Sequence, residues 1–184
     1  MRGRTHLIVG AASGIAAAIT IPVEDDIMRL GVFAATVVGS LFPDIDNAQS
    51  KLGRKVKPIS IILNKLFGHR GFIHSPCNLL LIFATAAIFM AVWNSFSYLP
   101  VLIGFSIGFI THIILDAITK GGIPFLYPFS KKRYNFTIIK TGGIGEALFL
   151  GVFLLACGAI SVIAVLLGNA PSMDFFQMIN IGVI

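Results

Sequence analysis

The sequence has 184 residues, 56% of them hydrophobic and 12% charged, with a mean hydropathy of +0.90, against about 45–50% and 25% in an ordinary soluble domain. A soluble globular enzyme is excluded by that balance, and the net charge of +6 reads as an orientation signal in membrane-flanking loops, with no nucleic-acid partner implied. Cys77 and Cys157 lie in apolar runs without CxxC spacing, which excludes a disulfide framework and a thiolate metal site.

In chain order, the first apolar run covers residues 6–22 and follows Arg2 and Arg4. Small residues at Ala16, Ala17 and Ala18 also suit a secretory signal peptide, a reading opposed by His6. After Glu24, Asp25 and Asp26 comes a second run, residues 27–42; both are short for a full crossing of about 20 residues. Between residues 48 and 68, Val56, Ile59, Ile62, Leu63, Leu66 and Phe67 recur at near-helical spacing, with Lys57, Ser60, Asn64 and Lys65 between them. This pattern predicts an amphipathic helix on the membrane surface. Runs at residues 72–93 and 99–118 follow, then GGIPFLYPF at residues 121–129, which its two prolines make an interfacial or re-entrant segment. The last run covers residues 144–167. The expected fold is one all-α integral membrane domain over residues 1–184, a bundle of about five transmembrane helices with an amphipathic surface helix.

Basic residues orient that bundle. Arg2 and Arg4 precede the first run. Lys51, Arg54, Lys55, Lys57, Lys65 and Arg70 lie between the second and third, and Lys120, Lys131, Lys132, Arg133 and Lys140 between the fourth and fifth. Only Arg29 falls on the other side, so the positive-inside rule puts the N terminus in the cytoplasm and the C terminus outside.

The histidines and acids were not used in drawing this topology, yet they follow it. His6, Asp44, Asp46, His69, His74, His112, Asp116 and Glu146 all fall at the cytoplasmic face, while Glu24, Asp25, Asp26 and Asp174 fall at the opposite one. Ionisable groups near hydrocarbon are expensive unless paired or liganded. His112 and Asp116 share a helix face at i,i+4, and Asp44 and Asp46 flank Ile45 after Pro43. Imidazole with carboxylate and no thiolate suits Zn, with Mn or Fe as the other ions, and eight candidates suffice for one or two. Singly, each has a plainer reading: an interfacial histidine for His6, a helix-ending turn for Asp44 and Asp46, a hydrogen-bonded pair for His112 and Asp116. A transporter pathway is the other class of reading, but no equivalent groups lie deeper in the spans or on the outer side.

The segments THLIVG at Thr5, LFPDIDNAQSKLG at Leu41, GHRGFIHSP at Gly68 and GFITHIILDAITKGGIPFLYP at Gly108 resemble the predicted membrane-bound metal-dependent hydrolases, in particular the LexA-regulated inner-membrane branch. The resemblance runs from Thr5 to about Glu146; Ile73 and Lys120 depart from the family's pattern, and the last span carries no motif. It implies that His6, Asp44, Asp46, His69, His74, His112 and Asp116 are metal-site residues, that Glu146 matches a family Glu, and that expression belongs to the SOS response.

The function expected is hydrolysis of a membrane phospholipid or lipid-linked phosphoester at the cytoplasmic face of the inner membrane. There a divalent metal lowers the pKa of its water to about 7. Glu146 or Asp46 is the general base and Arg70 a bidentate phosphate clamp. Lys131, Lys132 and Arg133 attract anionic lipid as a topogenic loop or a substrate-holding one. The alternative is a divalent-metal transporter or a metal-binding regulatory membrane protein without turnover.

Overall fold

The computed structural model describes residues 1–23, 25–136, 139–169 and 171; Glu24 and Asp174 of the outer acidic group lie outside the described residues. The architecture is all-α, with isolated bridges but no sheet among these residues. In chain order the helices are α1 (Gly3–Thr20), α2 (Asp26–Leu41), α3 (Lys51–Lys55), α4 (Lys57–Phe67), α5 (Pro76–Val92), α6 (Leu99–Ala117) and α7 (Ile144–Leu166). Short 3-10 turns at Phe42–Asp46, Phe72–His74 and Phe96–Tyr98 lead out of α2 and into α5 and α6.

The number of spans needs correction. Three helical segments among the described residues, not five, are long and apolar enough to cross a membrane: Asp26–Asp46, Phe96–Ala117 and Ile144–Leu166. The other two expected spans exist as helices but differ in kind. α5 has 17 residues, and α1 carries Arg4, His6, Ser13 and three glycines in its 18. α1 packs against α2, α6 and α7, so Thr5, His6, Gly10, Ser13 and Gly14 are covered by neighbouring helices and have no need to match hydrocarbon.

α2 and α6 form the most extensive helix pair. They come together because glycines face each other's backbone: a Cβ on Gly39 would strike the Phe105 carbonyl, and one on Gly108 would strike the Thr36 carbonyl. Phe33, Val32, Ala17 and Ala18 fill the α1–α2 side of the core, while Phe109, Ile113, Ala117 and Ile123 fill the α6 end. Met1, Val9 and Leu115 pack against Phe149, Leu150 and Phe153 of α7. At the opposite end of the bundle Asp25 caps α2 through Ile27 N–H (3.0 Å). Arg29 donates there to the carbonyls of Ala18 and Val23, both at 3.0 Å.

Outward, α5 and α7 present Leu80, Ile88, Val92, Leu148, Leu155 and Leu166, all exposed, an apolar surface that water does not tolerate and lipid does. The expected amphipathic helix is α4, with Ile59, Ile62 and Leu66 exposed beside Lys57 and Lys65. Residues 121–129 form the predicted broken segment. It is held by antiparallel pairing of Ile123 with Tyr134 (3.0 and 2.8 Å), with Phe125, Leu126 and Phe129 exposed.

Because the α2–α6 pair carries the site described next, Gly108→Ala is expected to destabilise the protein by about 1–3 kcal/mol through overpacking. The measurement is the thermal midpoint in detergent. Gly158→Ala on α7, where a Cβ meets nothing within 4 Å, should leave it unchanged.

Candidate metal centre

Pro43 lacks an N–H and cannot continue α2, so the chain tightens into the 3-10 turn Phe42–Asp46, which carries both Asp44 and Asp46. Opposite it lies the segment from Gly68 to Pro76, in which Gly68 and Arg70 both have positive φ (71° and 58°). For Arg70 this backbone costs about 1–3 kcal/mol. Two contacts hold it there: its N–H donates to Asp46 Oδ2 (3.1 Å), and its guanidinium Nη2 donates to Asp116 Oδ1 (2.9 Å). Gly121 lies against that guanidinium, where any side chain would collide with it. Arg133 donates to the carbonyl of His69 (2.9 Å), tying the basic loop to the same segment.

Two of the three buried rings are fixed through one nitrogen. His112 Nδ1–H donates to the carbonyl of Ser40 (2.7 Å), which leaves Nε2 as the lone-pair nitrogen. His74 Nδ1–H donates to Asp46 Oδ2 (3.1 Å), again freeing Nε2. His6 stacks on His112 with ring centroids 3.9 Å apart. His6 Nδ1, His74 Nε2 and His112 Nε2 are buried without a hydrogen-bond partner, a costly condition that a cation relieves.

These nitrogens surround two carboxylates. Asp116 Oδ2 lies 3.7 Å from both His74 Nε2 and His112 Nε2, and Asp44 Oδ1 lies 3.9 Å from His74 Nε2. Bonds of about 2.0–2.2 Å at tetrahedral angles separate ligand atoms by roughly 3.3–3.6 Å, close to the spacings found here. Two overlapping groups, His6–Asp44–His112 and His74–His112–Asp116, have donor atoms near enough to hold a metal ion. The other oxygen of Asp116, Oδ1, accepts from Arg70 and from the Met1 amine (2.7 Å) and lies 3.4 Å from His6 Nε2. His74 precedes α5, outside the spanning helices. Burial disfavours its charged form, but Asp44, Asp46 and Asp116 outweigh that and raise the imidazole to about 9. An ion therefore displaces a proton from this ring, and its apparent affinity increases as pH rises towards that value.

The profile of the YdjM inner membrane protein family matches residues 1–178. The chain belongs to that family. YvsG of Bacillus subtilis (strain 168) is 36% identical over 158 residues, which is 85% of this chain and 92% of that protein. The inner membrane protein YdjM of Escherichia coli (strain K12) is 37% identical over 99 residues, 53% of this chain and 49% of its own length. The inner membrane protein YbcI of the same organism is 27% identical over 107 residues. No solved structure matches. The family's name and the apolar helices together make this an inner-membrane, multi-pass protein with a potential metal centre.

Of the eight residues expected at the site, the structure brings His6, Asp44, His74, His112 and Asp116 together. Asp46 stands one step back, accepting from His69 Nδ1 (2.8 Å), His74 Nδ1 and Arg70 N–H, so it orients ligands and belongs to neither donor group. His69 is likewise outside both, with its side chain 42% exposed. Glu146 is not brought to the cluster. Its carboxylate accepts from Arg2 N–H (3.1 Å), Gly142 N–H and Thr5 Oγ1, clamping the start of α7 to the start of α1. Two groups had no signal in the spacing of His and Asp: Ser40, whose carbonyl sets the His112 tautomer, and Arg4, Lys51 and Arg54, which line a cleft beside the ligands.

Asp46→Asn keeps the volume and removes the charge that orients His74. Metal affinity is expected to fall about 10–100-fold in a chelator competition. Glu146→Gln in the same assay should retain wild-type affinity.

Proposed function

We propose that the protein is a membrane-embedded metal-dependent hydrolase that cleaves a phosphoester of a phospholipid or lipid-linked molecule. The observation that carries this reading is a polar cleft of about 430 Å3 in which ligand groups and cations meet: His6 and Asp44 line it together with His69, Arg70, Arg4, Lys51 and Arg54. Four cations beside one partly buried carboxylate favour an anion, and a phosphate is the anion whose hydrolysis a divalent metal promotes. A single ion is expected, because His112 has one free nitrogen and both donor groups share it.

A divalent ion, Zn with Mn or Fe as the other candidates, supplies Lewis acidity and lowers the pKa of a bound water to about 7. Arg4, Lys51 and Arg54 neutralise the phosphate, while Arg70 holds Asp116 in place through its guanidinium. Hydrolysis of a P–O bond also needs a proton on the departing oxygen. His69 suits that role: it lines the cleft, and Asp46 holds its Nδ1 at 2.8 Å. Asp46 thus acts through His69, in place of the direct base expected of Asp46 or Glu146. With Arg4, Lys51, Arg54, Arg70 and Arg133 gathered at the site end of the bundle and Arg29 at the other, the cleft faces the cytoplasm, with the N terminus beside it and α7 running towards the outer side.

In metal-loaded protein, His69→Gln is expected to lower kcat by about 10²–10⁴ with metal content retained. Phosphate release from phospholipids and lipid-linked phosphates provides the readout. No release from any of them by metal-loaded wild type, or uptake of the ion into sealed liposomes instead, rejects the hydrolase.

A further inference from the structure

The polar cleft does not stand alone. Between α1 and α2 lies an apolar crevice of about 330 Å3 whose walls include Leu7, Ile8 and Ala11 on one side and Ala34, Val37 and Val38 on the other. Arg4, Ile8 and Ala11 fall at i, i+4 and i+7 along one face of α1, and Leu41, Val38 and Ala34 do the same in reverse along α2. Arg4 and Leu41 line the polar cleft; the residues one turn further from it line the crevice. On this face α1 changes from the charged Arg4 to apolar residues over about 10 Å of rise, while α2 is apolar from Ala34 to Leu41 and meets the cleft's polar groups only at Asp44, in the turn beyond its end.

That arrangement matches one kind of molecule, with an anionic head and a hydrocarbon chain. The crevice lining agrees: all seven of its residues, Phe33 included, are apolar. Ile8 and Val38 are 41% and 51% exposed at its rim, so the crevice opens sideways on the spanning surface, where lipid chains are. We propose that the cleft and crevice together seat a single acidic phospholipid, its phosphate among Arg4, Lys51 and Arg54 and one acyl chain along the α1–α2 crevice. The proposal rests on the cleft being a phosphate subsite, and makes the substrate a bilayer-resident lipid that enters laterally. A water-soluble phosphoester does not share that requirement.

The test is equilibrium binding to the detergent-purified full chain, with glycerol 3-phosphate, dibutyryl and dioctanoyl phosphatidic acid, and uncharged dioctanoylglycerol as probes. A buried methylene contributes about 0.8 kcal/mol, so dioctanoyl phosphatidic acid should bind at least about ten-fold more tightly than dibutyryl. Ile8→Trp and Val38→Trp each fill the crevice at an exposed position that tolerates a larger side chain. Either should remove the chain-length advantage and leave glycerol 3-phosphate binding within about two-fold of wild type. Equal affinity for the two chain lengths, an unchanged advantage in both folded variants, or dioctanoylglycerol binding as tightly as its phosphorylated form overturns the proposal. Binding needs no turnover: chain-dependent binding without hydrolysis removes only the enzymatic reading, and hydrolysis of soluble phosphoesters without chain dependence removes only this one.

Discussion

Four histidines and three aspartates gather at one end of a bundle whose outer surface is largely apolar, and each must be neutralised or liganded where water is scarce. The structure meets that constraint in part, through contacts within the cluster. Asp46 takes His69, His74 and the Arg70 N–H, and Asp116 takes the Arg70 guanidinium on one oxygen. Ser40 takes one nitrogen of His112. What is left over is as informative: the free nitrogens of His74 and His112 face the second oxygen of Asp116 at 3.7 Å, and no hydrogen bond among the described residues satisfies them.

The rest of the fold can be understood as what this centre requires. Pro43 breaks α2 so that two carboxylates leave a helix end on a tight turn. Gly39 and Gly108 let α2 and α6 approach until Ser40 reaches His112. A left-handed Arg70, locally costly, faces one way to Asp46 and the other to Asp116, so one residue joins the α2 turn to the end of α6. Glu146 then fastens α7 to the start of α1, from which His6 projects.

Much of this was legible in the sequence, for a physical reason. An imidazole or carboxylate in an apolar run stands out against its neighbours, so His6, Asp44, His74, His112 and Asp116 were identifiable before any packing was known. The hydrophobic periodicity of residues 56–67 located α4 equally well. Function within the cluster was less readable, because an acid that orients a ligand and an acid that is a ligand have the same residue type and spacing. Asp46 and Glu146 differ from Asp44 only in which donors surround them. The number of spans was overdrawn because apolar length does not distinguish a helix covered by protein, such as α1, from one that faces lipid. Arg4, Lys51 and Arg54 carry only a topogenic signal in the sequence, and the fold brings them into a cleft with His6 and Asp44.

The central claim is that the unsatisfied nitrogens exist to hold an ion. It is tested most directly by the metal content per chain of detergent-purified protein, measured by elemental mass spectrometry without chelator, wild type beside His112→Ala. About one equivalent of Zn, Mn or Fe in wild type, largely lost in the variant while helicity is retained, is the predicted result. Wild type that holds none of these metals, as purified and after each is supplied again, contradicts it and makes the cluster a hydrogen-bonded network.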